Sequence, residues 1–185
     1  RLVKPSEFLQ GGDRILSSRR RLCRGNPAGG VELLLQASVV GGLLRVAARA
    51  TDAVVIGSDQ VAELDGQAIG KPGNHERALE QLTMMSGRRV VFHTAVAVVR
   101  RERGFERALL VPVTVQFRRL RRDDIERYLA LDTPYDCAGS AKSEALGVAL
   151  LESIDSDDPT ALIGLPLIRT CALLREAGLD PLGTA

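Results

Sequence analysis

Val54-Val55-Ile56-Gly57-Ser58-Asp59-Gln60-Val61, continuing through Leu64-Asp65-Gly66 to Gly70-Lys71-Pro72, decides how this chain reads. An apolar run that breaks off at a carboxylate, followed by a glycine-framed turn carrying a lysine, describes a strand delivering an acid to a ligand pocket. The β-branched residues predict a short strand over 53–56, buried on both faces. Asp59 then falls at or just beyond the strand's C-terminal end, where open α/β sheets bind ligands.

Downstream the punctuation is clear. Asn74 is placed to cap a helix that runs to Ser86-Gly87. Residues 90–99 and 111–117 predict an antiparallel pair around the turn Glu102-Arg103-Gly104, with Pro112 at an edge or bulge because it has no N–H for a ladder. Asp123 and Asp124 suit the first turn of a helix, where acids meet the positive end of its dipole. A further strand is expected over 147–151, a cap at Asp158-Pro159, and a helix opened by Pro166 and ending at Gly178. Residues 1–50 read poorly, because Gly11-Gly12, Gly29-Gly30 and Gly41-Gly42 interrupt them and each glycine disfavours a helix interior by roughly 1 kcal/mol.

At 185 residues and 45% hydrophobic composition, the chain can bury one proper core, and a single α/β domain is expected over 1–185. The net charge of +2 is small, with a local basic patch at Arg14, Arg19, Arg20, Arg21 and Arg24. That patch is not a nucleic-acid footprint, and aromatic residues for stacking make up only 3% of the chain. Cys23, Cys137 and Cys171 lack metal-ligand spacing and fit reduced thiols. With no apolar run of membrane-spanning length and no signal-like segment, no membrane partner is expected and the location expected is cytoplasmic.

Asp59 can hold a hard divalent cation and orient water. Lys71 and Lys142, each near glycine, can act as point charges on phosphate. Together they describe a nucleotide phosphate site with metal. Glu144 has a logic for guanine, since a carboxylate accepts from both N1–H and the exocyclic amine, and an N7-alkylated purine adds positive charge. Asp155, Asp157 and Asp158 read more simply as a capping loop, Cys137 as a buried thiol, and His75 and His93 carry no assigned role.

Ser58-Asp59-Gln60, Leu64-Asp65-Gly66, Gly70-Lys71-Pro72, Ser86-Gly87 and Gly164-Leu165-Pro166 together resemble the Maf family of nucleoside triphosphate pyrophosphatases, over about residues 51–182. With Cys137-Ala138-Gly139-Ser140-Ala141-Lys142-Ser143-Glu144, the pattern is similar to the branch acting on 7-methyl-GTP rather than the branch acting on dTTP and UTP. The resemblance implies an inosine triphosphate pyrophosphatase-like α/β fold, an elongated mixed sheet with helices and a cleft between two lobes. It also implies hydrolysis of the α–β phosphate bond of N7-methyl-GTP to N7-methyl-GMP and diphosphate, with a divalent cation (Mg, Mn or Co). Asp59 is then the proton acceptor and a metal contact, Lys71 and Lys142 bind phosphate, and Gln60 and Glu144 set base specificity. The substrate is a small nucleotide and the assembly a homodimer.

Upstream the chain departs from the family's Ser-x-Ser-Pro-x-Arg-Arg opening. The nearest counterpart is Leu16-Ser17-Ser18-Arg19-Arg20-Arg21-Leu22, which lacks the proline. By that counterpart Arg19 is implied in specificity and Arg20 in phosphate binding. No lysine stands between Pro5 and Gly70, and Val39-Val40-Gly41-Gly42 lies where a helix would be expected. Residues 1–50 therefore read as a diverged lobe or the product of a shifted frame. A catalytically weak nucleotide-binding or regulatory protein is the alternative reading.

Overall fold

The computed structural model describes residues 27–49 and 53–183. Its elements are α1 (Pro27–Ala47), β1 (Val55–Leu64), β2 (Gln67–Ile69), α2 (His75–Met85), β3 (Arg89–Arg100), β4 (Phe105–Phe117), α3 (Arg122–Asp132), β5 (Leu151–Asp155) and α4 (Leu167–Glu176). The strands form one sheet in the order β2-β1-β3-β4-β5, with every neighbouring pair antiparallel. The α/β class holds.

β1 is the first correction. It runs from Val55 to Leu64, so Asp59 sits in mid-strand opposite Ala95 and not at a strand end. Residues 54–56 are only partly buried rather than enclosed on both faces. The apolar run did not mark the strand because the residues after it alternate: Ser58 and Gln60 point to one face and Gly57, Asp59 and Val61 to the other. Polar side chains on that alternation find carbonyl partners, and the ladder continues through them.

α1 is the second correction, since a helix spans Val39-Val40-Gly41-Gly42. Leu35, Val39, Leu43 and Ala47 recur every fourth residue and are buried against Val61, Ala95, Ala97 and Val99 on one face of the sheet. Burying each of the three larger side chains is worth about 1.5–3 kcal/mol. That exceeds the roughly 1 kcal/mol per glycine lost in the helix. Leu43 lies over Gly57, where a Cβ would stand 2.8 Å from Leu43 Cδ2, so β1 and α1 approach closely at that rung.

On the other face, Ala62, Phe92, Val113, Val115 and Phe117 pack beneath Leu82 and Met85 of α2 and Ile125 and Leu129 of α3. A neighbouring cluster joins Val96 and Val98 to Leu173 and Ala177 at α4. Several local expectations hold: Asn74 accepts the Arg77 N–H at 3.0 Å, Gly87 ends α2 with φ of +69°, and Asp123 and Asp124 open α3. β5 ends opposite Thr114, so Pro112 lies in β4 past its last rung. The strand expected over 147–151 is instead a 3-10 turn over Leu146–Leu150 followed by β5. Gly147 explains the turn, because it lies against the Lys142 backbone, where a Cβ would meet the Lys142 carbonyl oxygen at 2.5 Å.

Leu43 is fully buried in the contact between α1 and the sheet. Leu43→Ala is expected to lower unfolding stability by about 2–5 kcal/mol, read as a shift in the urea midpoint. An unchanged midpoint would remove α1 from the folded core.

Candidate active site

The middle of β1 is stitched to the 3-10 turn Pro159–Ile163 by its two outward polar side chains. Ser58 Oγ lies 2.7 Å from the Ala95 carbonyl and 2.6 Å from the Gly164 carbonyl. Gln60 Nε2 lies 2.9 Å from Thr94 Oγ1, 2.9 Å from the Ala161 carbonyl and 3.1 Å from the Leu162 carbonyl. Thr94 Oγ1 in turn donates to Ala161 at 2.9 Å. The Gln60 amide nitrogen is thus committed to the fold, and its Oε1 is the end left to accept from a ligand.

Asp59 stands on the opposite face of β1, the face that carries α1, with its side chain exposed. Its Oδ1 accepts the Gln60 backbone N–H at 2.9 Å, which fixes the direction of the carboxylate. On the same face, Glu63 Oε2 is 3.1 Å from His93 Nε2, and both side chains are shielded. Sequence reasoning missed this pair, because only the register of β1 on β3 brings Glu63 and His93 together.

The two lysines stand on neighbouring loops. Lys71 follows β2 and is exposed, while Pro72 beside it is buried. Gly73 N–H donates to the Tyr135 carbonyl at 2.9 Å, and His75 reaches Tyr135 Oη at 3.2 Å and Glu126 Oε2 at 2.9 Å. Gln81 Nε2 donates to the Gly70 carbonyl at 3.1 Å, and Gln81 Oε1 accepts from Ser140 Oγ at 2.5 Å. The segment carrying Lys142 and Glu144 is therefore joined to the segment carrying Lys71. Gly139 lies against Ala62 and Phe92, on the face of β1 that Gln60 shares.

Lys142 is held at three points. Its backbone N–H donates to Tyr128 Oη at 3.0 Å, and its ammonium reaches the Asp132 carbonyl at 3.3 Å and Asp136 Oδ1 at 3.6 Å. Glu144 is exposed. Burial raises the Tyr128 phenol above its ordinary pKa. Partial burial pushes Asp136 upward, but the Cys137 thiol, the Asp136 backbone N–H and the Lys142 charge outweigh it and hold the carboxyl below its usual value. Burial, then the Asp136 charge, pushes the Cys137 thiol up to about 11.

The structure thus brings Lys71, Lys142 and Glu144 to adjoining loops on the Gln60 side of β1, with Asp59 projecting from the other side. Arg19 and Arg20 lie outside the described residues. Asp158 is fully buried and accepts from Thr160 Oγ1 at 2.7 Å and from the Arg169 N–H at 3.0 Å, so it caps α4 as a loop acid. Gln81 was missed because a helical glutamine gives no signal in sequence. The Lys142 anchors Tyr128 and Asp136 were missed for the same kind of reason.

With a pKa of about 11, the Cys137 thiol stays protonated at pH 8. Asp136→Asn removes the negative charge that helps hold it there, so the thiol's pKa falls and the thiolate fraction rises roughly tenfold per unit. Iodoacetamide is expected to alkylate Cys137 faster in that variant at pH 8, followed by peptide mass. An equal rate would contradict the assigned cause.

A family described as Maf-like protein matches residues 37–177, a span that begins inside α1 and contains Asp59, Gln60, Lys71, Lys142 and Glu144. A 7-methyl-GTP pyrophosphatase of Albidiferax ferrireducens is 63% identical over 138 residues, 75% of this chain and 69% of that relative. One from a Polaromonas species is 65% identical over 127 residues, 69% of this chain and 58% of the relative. One from Aromatoleum aromaticum is 57% identical over 134 residues, 72% of this chain and 69% of the relative. The chain thus spans between 58% and 69% of the length of these curated relatives. A family match over well more than half its length makes this chain a member of the Maf family.

Proposed function

We propose that this chain is a nucleotide hydrolase that cleaves the α–β phosphoanhydride of N7-methyl-GTP, giving N7-methyl-GMP and diphosphate and so clearing a modified nucleotide from the pool. The observation that carries this reading is the junction of the Lys71 and Lys142–Glu144 loops within the family-matched span, supported by three relatives named for that activity.

Each residue is given the role that the resemblance implies, Asp59 from the α1 face of β1 and the lysine loops from the other. Asp59 accepts the proton of the attacking water, its carboxylate steadied by the Gln60 N–H. Lys71 meets phosphate as an exposed point charge. Lys142 exchanges its 3.6 Å contact with Asp136 for phosphate oxygens, which are more strongly charged. Glu144 accepts from N1–H and the exocyclic amine of guanine, and the positive charge of an N7-methylated ring strengthens that pairing. Gln60 contributes its Oε1 as a further acceptor. Arg19 is read as a specificity contact and Arg20 as a phosphate contact on the resemblance alone.

A divalent cation fits this donor set, since one carboxylate and the oxygens of a triphosphate are the hard ligands that Mg, Mn or Co accept. Among the described residues no three His, Cys, Asp or Glu side chains gather, so Asp59 would hold the ion with substrate oxygens completing its shell. When bound it supplies charge neutralisation on the phosphates. A cytoplasmic location fits a nucleotide substrate, and no helix among the described residues is long and apolar enough to cross a membrane. The homodimer belongs to the same reading.

Diphosphate release from 7-methyl-GTP is expected to exceed release from GTP, UTP and dTTP by at least about tenfold in kcat/KM, as an added polar or charged contact allows. Asp59→Asn is expected to lower kcat by about 10²–10⁴-fold, the usual share of a general base. Binding of 7-methyl-GTP without turnover, or full activity of Asp59→Asn, would overturn the assignment.

A further inference from the structure

We propose that Gln81 is a positioning residue that sets the spacing between the phosphate-binding and base-reading loops. This inference rests on the pyrophosphatase reading for what those loops bind. The Gly70 carbonyl can only accept, so the Gln81 amide must turn Nε2 toward it, at 3.1 Å. Oε1 then faces Ser140 Oγ at 2.5 Å, and the hydroxyl has to donate. A single planar amide therefore joins a backbone atom adjacent to Lys71 with a side chain two residues before Lys142 and four before Glu144.

Ser140 carries the signs of a committed partner. It is fully buried, and its φ of +54° is a left-handed conformation that an L residue adopts at some cost. A glycine would relax that backbone and lose only the hydroxyl. Gln81 is half-buried at the flank of α2, whose packing is done by Ala78, Leu82 and Met85. Its amide is thus not needed to fill the core. It fixes one loop against the other across a helix surface.

The consequence is selectivity. Lys71 acts at the phosphates and Glu144 at the base, so a ligand spanning both is measured by the separation of the two loops. Breaking the amide link leaves the Gly73–Tyr135 bond as the remaining tie, loosens the spacing at the Lys71 and Glu144 ends, and blurs the distinction between guanine and its N7-methyl form.

The test uses Gln81→Met, which keeps length and removes both bonds, and Ser140→Gly, which removes one bond and relieves the backbone. Without nucleotide, Ser140→Gly is expected to speed amide hydrogen exchange at Gly70, Lys71 and Gly73, in the segment that Ser140 reaches through Gln81. With nucleotide, both variants are expected to lose about three- to tenfold in kcat/KM for 7-methyl-GTP, the worth of a hydrogen bond, and to narrow its preference over GTP. The double variant should be no worse than Gln81→Met, since the two bonds act as one unit. Unchanged exchange at Gly70, Lys71 and Gly73, or unchanged nucleotide preference in both variants, would overturn the proposal. Failure of the unmodified chain to turn over 7-methyl-GTP would sink the substrate reading instead, while the exchange measurement still decides the coupling.

Discussion

The placement of Ser58, Asp59 and Gln60 follows from how β1 pairs with β3. The register sets Asp59 against Ala95 and Gln60 against Thr94, and in a strand neighbouring side chains must leave on opposite faces. A one-residue slip would exchange the faces of Ser58, Asp59 and Gln60 and bury the wrong set. The register is held from both sides. Leu43 of α1 closes down on Gly57 from one face, and the Ser58 and Gln60 contacts to the turn at 159–164 lock the other.

That division gives the residues Ser58, Asp59 and Gln60 distinct tasks. Ser58 and the Gln60 nitrogen are structural anchors, consumed by carbonyls of β3 and of the turn before α4. Asp59 is the polar group of the trio that faces α1, exposed and oriented by the next residue's N–H. An acid within a paired strand takes its direction from the ladder, here the pairing of Asp59 with Ala95 of β3. A loop acid would need its own supports. The lysines have the opposite arrangement: they ride on loops, and their positions depend on side-chain ties such as Gln81, Tyr128 and Asp136.

What could be read directly from the chain was whatever has a local cause. The Asn74 cap, the Gly87 stop and the acids opening α3 each depend on residues a few positions apart, and each stands as read, whereas Asp158 caps α4 through the Arg169 N–H rather than the turn at Pro159. The family resemblance, too, rested on short motifs in order. The errors fell where a distant partner decides. α1 forms through its glycines because the sheet offers Val61, Ala95, Ala97 and Val99 to bury. Residues 146–150 are a nearer case, turning rather than extending because Gly147 must fit against the backbone of Lys142 just upstream. Asp59 lies in mid-strand because Ser58 and Gln60 find carbonyls about a hundred residues away.

The same contrast explains why the site's chemistry was more legible than its geometry. Acid, lysine and glutamate advertise themselves by residue type, since few other side chains can accept a proton, meet a phosphate or pair with guanine. The groups that aim them are ordinary: a helical glutamine, a serine, a tyrosine, a backbone carbonyl. Gln81 makes the point in atoms. Nothing in Glu80-Gln81-Leu82 distinguishes it, yet the Gly70 carbonyl fixes the direction of its amide and Ser140 donates to the oxygen that this direction leaves. A residue of this kind is visible only when three segments, at 70, 81 and 140, are already in place. Substrate choice in such a site is then a property of the assembled fold, carried by the distance between two loops, while the capacity for the reaction is carried by single side chains.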